Sequence, residues 1–97
     1  MIKDKELIIK LLLVLFPGAD IYLFGSRARG THSERSDIDL ALDAHRVLTI
    51  SEIQRAKRIL EALHTPQKID VVDVNTVDKI LKDAIKNEGV LWTLTNN

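Results

Sequence analysis

The chain is predicted to be an α/β protein, with a small mixed sheet covered by helices in a single domain spanning residues 1–97. Three observations carry that prediction. Apolar residues recur at helical spacing in three segments, while three shorter runs alternate or cluster as strands do, and the two kinds interleave along the chain. The composition, 45% hydrophobic and 29% charged over 97 residues, is that of a globular domain. A chain of this size buries about 60–65% of its unfolded surface, enough for one modest core without metal or disulfide staples.

The first element is a helix over about Lys3 to Phe16, stopped by Pro17-Gly18. Ile21-Tyr22-Leu23-Phe24 follows as a short buried strand ending at Gly25. Ser26 to Ser36 is polar and contains Gly30, which predicts a loop with one helical turn starting near Ser26. Asp37 to Asp43 then alternates, with Ile38, Leu40 and Leu42 on one face and Asp37, Asp39, Ala41 and Asp43 on the other. That pattern predicts a half-buried strand. To bring Ser26 near Asp37, these two strands must be antiparallel neighbours.

A second long helix starts at Thr49 or Ser51, since both Thr49-x-x-Glu52 and Ser51-x-x-Gln54 fit a capping box. Ile53, Ala56, Leu60 and Leu63 mark its inner stripe, and Pro66 closes it. Ile69 to Val74 is a valine-rich third strand. Asn75 is expected to cap a last helix whose inner stripe is Val77, Ile80, Leu81, Ala84 and Ile85. Gly89 ends it, and Val90 to Leu94 supplies a short edge strand.

Charge and composition narrow the function classes. Lys plus Arg and Asp plus Glu both count 14, so the formal net charge is zero. Proteins that hold nucleic acid by its phosphates carry a basic excess, so stable nucleic-acid binding is not expected. There is no cysteine, hence no disulfide or thiolate chemistry, which fits a cytoplasmic protein. Leu7 to Phe16 holds nine apolar residues in ten, but the charges of Lys3, Asp4, Lys5 and Glu6 cancel ahead of it, unlike a signal peptide. The run is also far short of the roughly 20 residues that span a bilayer. A helix covering one sheet face needs only one apolar stripe, so the excess apolarity of Leu7 to Phe16 points to a protein interface, with a second copy or another chain.

The chemistry lies between the first two strands. Gly25 lets backbone approach a ligand without a Cβ in the way, and Ser26 offers its hydroxyl and the amides after it to phosphate oxygens. Ten residues later come Asp37 and Asp39, whose alternation puts both on one strand face with Cα atoms about 6.5 Å apart. That face has no interleaved Lys or Arg, so repulsion among its acids calls for a counter-cation. A third acid comes from the valine-rich strand, where an aspartate is costly to bury unless paired or metal-bound. Asp70 and Asp73 point to opposite faces of a regular strand, so one joins the cluster while the other caps the strand end or faces solvent. Such carboxylates suit a two-metal site for in-line displacement at phosphorus, and a phosphate-binding turn beside them favours transfer from a triphosphate over hydrolysis.

Gly25-Ser26-Arg27-Ala28-Arg29-Gly30 followed by Ser36-Asp37-Ile38-Asp39-Leu40 resembles the minimal nucleotidyltransferases of the DNA polymerase β superfamily. The later Ile69–Asn75 and Asn87–Val90 stretches resemble that family's third-carboxylate strand and closing segment. The resemblance implies a polymerase β-like core, with Gly25 and Ser26 on the triphosphate and with Asp37, Asp39 and Asp70 as catalytic carboxylates and metal ligands, Asp70 being the third, which also helps deprotonate the acceptor hydroxyl. It implies Mg²⁺, two ions in number, and ATP as substrate. Stand-alone members of this length resemble the antitoxin of a toxin–antitoxin pair. Their partner is a helical ribonuclease of the HEPN (higher eukaryotes and prokaryotes nucleotide-binding) class, silenced by AMP transfer to a tyrosine hydroxyl. Neutralisation by binding alone, and nucleotide transfer to an antibiotic, are the alternative readings.

Other residues divide between roles. Arg27 and Arg29 are candidate nucleotide contacts, on the leaving pyrophosphate, with Arg29 alternatively bracing the loop against an acid such as Glu34. Arg35 and Arg46 read as surface charges. His32, His45 and His64 lack metal-ligand spacing. Tyr22 reads as core, and Trp92 as an edge or partner contact.

Overall fold

The computed structural model describes residues 2–93. In chain order the elements are α1 (Lys5–Leu15), β1 (Asp20–Phe24), α2 (Ser26–Arg29), β2 (Ile38–Asp43), α3 (Ile50–Glu61), β3 (Ile69–Asp73), α4 (Lys79–Glu88) and β4 (Val90–Leu91). The strands form one mixed sheet in the order β3-β2-β1-β4. As the Ser26–Asp37 argument requires, β1 and β2 are antiparallel; β2 and β3 are parallel, joined through α3, and β4 pairs antiparallel with β1.

The two sheet faces carry separate cores. Ile38, Leu40 and Leu42 point to one side with Ile21, Leu23 and Val71, where α1 contributes Ile8 and Leu12 and α3 contributes Ala56 and Leu60. On the other side Ala41 and Val74 meet Ile85 of α4, with Tyr22, Phe24, Val72 and Val77 around them. Strand β2 is therefore not half-buried, because α4 covers the far half of its acidic face: Ala41 is fully buried and Asp43 retains only 6% exposure.

Helix ends follow their caps. Thr49 accepts from the Glu52 backbone N–H while the Glu52 carboxylate accepts from that of Thr49, so of the two possible capping boxes the first one forms. The last helix is capped by Asp78, which accepts from Leu81 N–H, not by Asn75. The helix thus starts at Lys79, Val77 packs from the preceding turn, and Ile80 (84% exposed) and Leu81 fall outside the buried stripe. Asn75 is instead held by Asp43 and Asp73.

Trp92 lies at the sheet edge, as expected, but its ring is a core residue and not a partner contact. Its N–H donates to the Ile21 carbonyl at 2.7 Å, which carries the chain alongside β1 beyond β4. The buried ring joins the α1 side of the core, with the Lys5 ammonium 5.5 Å from its centroid. Of the expected edge strand Val90 to Leu94, Val90–Leu91 is strand and Leu94 lies outside the described residues. Helix α1 buries Ile8 and Leu12 one turn apart and leaves Leu7 and Val14 exposed. Among the described residues no helix is long and apolar enough to cross a membrane.

Candidate active site

The strand register assembles the site. Phe24 pairs with Asp39 and Asp39 with Asp70, so the three lie in one row across β1, β2 and β3. Paired positions share a face, and neighbouring strands lie about 4.8 Å apart, so Asp39 and Asp70 project side by side. Asp37 immediately precedes β2 and is exposed, while Asp39 and Asp70 are partly buried. Of the two acids in β3, Asp70 joins Asp39. Asp73 points to the other face and caps the strand end, accepting from Leu48 N–H at 2.8 Å and Asn75 N–H at 2.9 Å.

Gly25 closes the row on the β1 side. Its φ of 76° and ψ of −154° belong to a region open essentially to glycine alone. A Cβ built there would lie 2.6 Å from Asp39 Oδ2. The turn and the Asp-x-Asp strand are thus in contact, and only a residue without a side chain fits between them. Ser26 opens α2, a single helical turn ended by Gly30 in the left-handed conformation.

Arg27 takes the loop-bracing part that the sequence offered for Arg29: its Nε donates to the Ser36 carbonyl at 3.2 Å and its Nη2 to the carbonyls of Ser36 and Glu34. Gln67 Nε2 donates to the same Glu34 carbonyl, tying the loop to the approach of β3. Arg29 is exposed, and its charge acts on Asp39.

Electrostatics separates the acids of β2. Burial, followed by the charges of Asp37 and Asp70, pushes the Asp39 carboxyl above its ordinary range, with Arg29 opposing them. Asp43, expected beside Asp37 and Asp39 on an outward face, instead has its own cation. Lys86 Nζ donates to its Oδ2 at 2.9 Å, and Asn75 Nδ2 and His45 N–H donate to Oδ1. Burial alone would raise the Asp43 pKa, but these donors outweigh it and bring it down to about 2. No local pattern could reveal this pair, since its partners lie 43 residues apart.

Oxygen donors alone line the row, which suits a hard divalent cation such as Mg²⁺. The carboxylate oxygens of Asp37, Asp39 and Asp70 do not gather within 4.8 Å of one another, and among the described residues the trio that does is Asp20, Asp43 and His45. The Asp70 carboxylate has a cation of its own to one side, with Lys57 Nζ of α3 3.7 Å from its Oδ1. Sequence reasoning missed Lys57 because its contact reaches from a helix on one face round the edge of β3.

A Gly-Ser turn abutting an Asp-x-Asp strand, on a four-stranded mixed sheet with a further carboxylate on the next strand, defines a small nucleotidyltransferase. Comparison with known proteins agrees. The family model described as "Polymerase beta, Nucleotidyltransferase" matches residues 18–96, and the chain belongs to that family. It is 36% identical over 92 residues to the protein adenylyltransferase MntA of Shewanella oneidensis, covering 92% of this chain and 65% of that relative. A chain of a crystal structure described as a toxin–antitoxin with AMP-PNP superposes with a TM-score of 0.79 at 32% identity, over 96% of this chain and 75% of that one. A chain of the complex of a tri-AMPylated Shewanella oneidensis HEPN toxin with its MNT antitoxin gives a TM-score of 0.73 at 29% identity, over 95% and 71%.

Proposed function

We infer that the chain transfers AMP from ATP, with Mg²⁺, to a tyrosine hydroxyl of a HEPN ribonuclease in the cytoplasm, and so acts as that toxin's antitoxin. The observation that carries the reading is the row Gly25–Asp39–Asp70, in which a turn without a side chain touches one aspartate whose partner on the next strand is a second. The relatives named adenylyltransferase MntA, and the AMPylated HEPN toxin held by its antitoxin, support the choice of nucleotide and acceptor.

In this reading Gly25, Ser26 and the amides of α2 hold the β- and γ-phosphates, and Arg29 offsets charge on the departing pyrophosphate. Asp37 and Asp39 hold Mg²⁺, which when bound screens the phosphate charge and polarises the α-phosphorus. Asp70 accepts the proton of the acceptor hydroxyl as its oxygen bonds to the α-phosphorus and the bond to pyrophosphate breaks. Arg27 keeps the loop between Ser26 and Asp37 in the shape that brings turn and strand together.

Incubation with the HEPN partner, Mg²⁺ and ATP labelled on the α-phosphate tests the reading. Label on a partner tyrosine, lost in Asp39→Ala, is the expected result. Silencing of the ribonuclease that survives Asp39→Ala without any label would replace transfer by neutralisation through binding.

A further inference from the structure

In-line displacement places the attacking oxygen and the leaving pyrophosphate on opposite sides of phosphorus. If the leaving side belongs to Gly25-Ser26 at the end of β1, as the proposed function has it, the acceptor enters from the far end of the row, past Asp70 on β3. Strand β3 is the outer strand of the sheet on that side. Beside it runs an open groove of about 460 Å³, walled by α3 on one side and by Val72 and Val77 on the other. Ile50, Ile53 and Lys57 line the helix wall at i, i+3 and i+7, a single helical face.

Two features tie this groove to the site. Lys57 is part of its wall and its ammonium also lies 3.7 Å from Asp70, so the groove ends one side chain away from the third carboxylate of the row. Val72 follows Asp70 by two residues and shares its strand face. Ile50, 77% exposed, adds to this wall an apolar side chain that packing within the chain leaves uncovered. Of the other exposed apolar side chains, Leu7 and Val14 on α1 lie across the opposite face of the sheet from Asp39, where a bound acceptor could not present a hydroxyl to the row, and Leu81 on α4 lines a pocket with Gly25 and Arg29, on the leaving side.

We propose that the groove between α3 and the β3 edge seats an apolar segment of the acceptor protein and delivers its hydroxyl to Asp70. The inference rests on the proposed transfer, and its test reads affinity, so the two fail separately. Titration calorimetry of the unmodified HEPN partner against wild type, Ile50→Gln and Ile50→Arg should show partner affinity falling roughly tenfold or more in both variants. Affinity for a non-hydrolysable ATP analogue should stay within twofold, and Val14→Gln should bind the partner as wild type does. Unchanged partner affinity in both Ile50 variants overturns the proposal. So does a loss confined to Val14→Gln, or an Ile50 effect that only dissociates a dimer of this chain. A wild type that binds the partner through Ile50 yet transfers no label sinks the activity and leaves the docking surface standing.

Discussion

Gly25→Ala tests the contact on which the site is built. The substitution has two separable consequences. Its backbone sits at φ 76° and ψ −154°, where a residue with a Cβ costs about 1–3 kcal/mol. The new methyl would also stand 2.6 Å from Asp39 Oδ2, so that carboxylate must retreat by about 0.8 Å to reach ordinary contact at 3.4 Å. Misplacing a reacting group by about 1 Å costs on the order of 100-fold in rate.

Gly30→Ala supplies the control. Gly30 also has φ 76°, but at ψ 14°, and a Cβ there meets nothing within 4 Å. It should lose about 1–2 kcal/mol of stability from backbone conformation alone and keep its transfer rate within a few-fold. Urea unfolding measures the first quantity, and AMP transfer from labelled ATP the second. Gly25→Ala should unfold slightly more easily than Gly30→Ala and transfer about 100-fold more slowly. If the two variants lose stability alike and transfer alike, the glycine serves only the turn and the argument for the site fails.

Two further perturbations address the acids of β2. Because burial and the charges of Asp37 and Asp70 raise the Asp39 carboxyl, ionised Asp39 destabilises the metal-free fold. Asp39→Asn should therefore raise the thermal midpoint at pH 7 by a few degrees and abolish transfer, with the gain shrinking as pH falls into the carboxylate range. Mg²⁺ should raise the midpoint of wild type and leave that of Asp39→Asn unmoved. Lys86→Met should have the opposite sign. Holding Asp43 near 2 instead of 3.8 corresponds to about 2 kcal/mol at 1.36 kcal/mol per unit. A depressed carboxyl contributes that stability above its unfolded pKa and loses it as pH falls through the folded one. Lys86 supplies the largest favourable share of the Asp43 shift, with Asn75 and His45 supplying the rest. The variant should therefore be about 1–2 kcal/mol less stable at pH 7, a midpoint shift of about 5–10 °C, and nearly equal to wild type at pH 2. An equal loss at both pH values would make Lys86 a packing residue.

Most of the fold was legible because its signals are local. The alternation over 38–43, the Thr49–Glu52 capping box and the antiparallel pairing of the first two strands depend on residues near one another in sequence. The choice between Asp70 and Asp73, left open by alternation alone, is made by register, since parallel pairing sets Asp70 opposite Asp39. What escaped depends on distant packing. Trp92 looked peripheral because its partner, Ile21, lies at the other end of the chain. Asn75 resembled an N-cap, yet Asp78 is another good cap nearer the apolar run, and the Asn75 side chain is taken up by Asp43, 32 residues away, while its backbone N–H is held by Asp73. The loop-bracing arginine could not be told apart by sequence, since Arg27 and Arg29 differ only in how α2 aims them.

Along β2, Asp39 and Asp43 share a face and lie four residues apart, yet their surroundings drive them in opposite directions. Near Asp43 the sheet is covered by α4, and that helix brings Lys86, whose ammonium also lies 5.7 Å from the Tyr22 ring centroid. Hydrogen bonds from Lys86, Asn75 and His45 complete the shell of that carboxylate, so ionisation there favours the fold. At Asp39 the neighbours that matter are two more acids and an exposed arginine, and ionisation there works against the fold. A group held charged at a cost in stability, beside a glycine that admits no side chain, is poised for a partner from outside the chain. Asp43 already has its cation within the protein. The proposed metal site at Asp39 follows from that contrast between two aspartates that sequence pattern alone treats as equivalent.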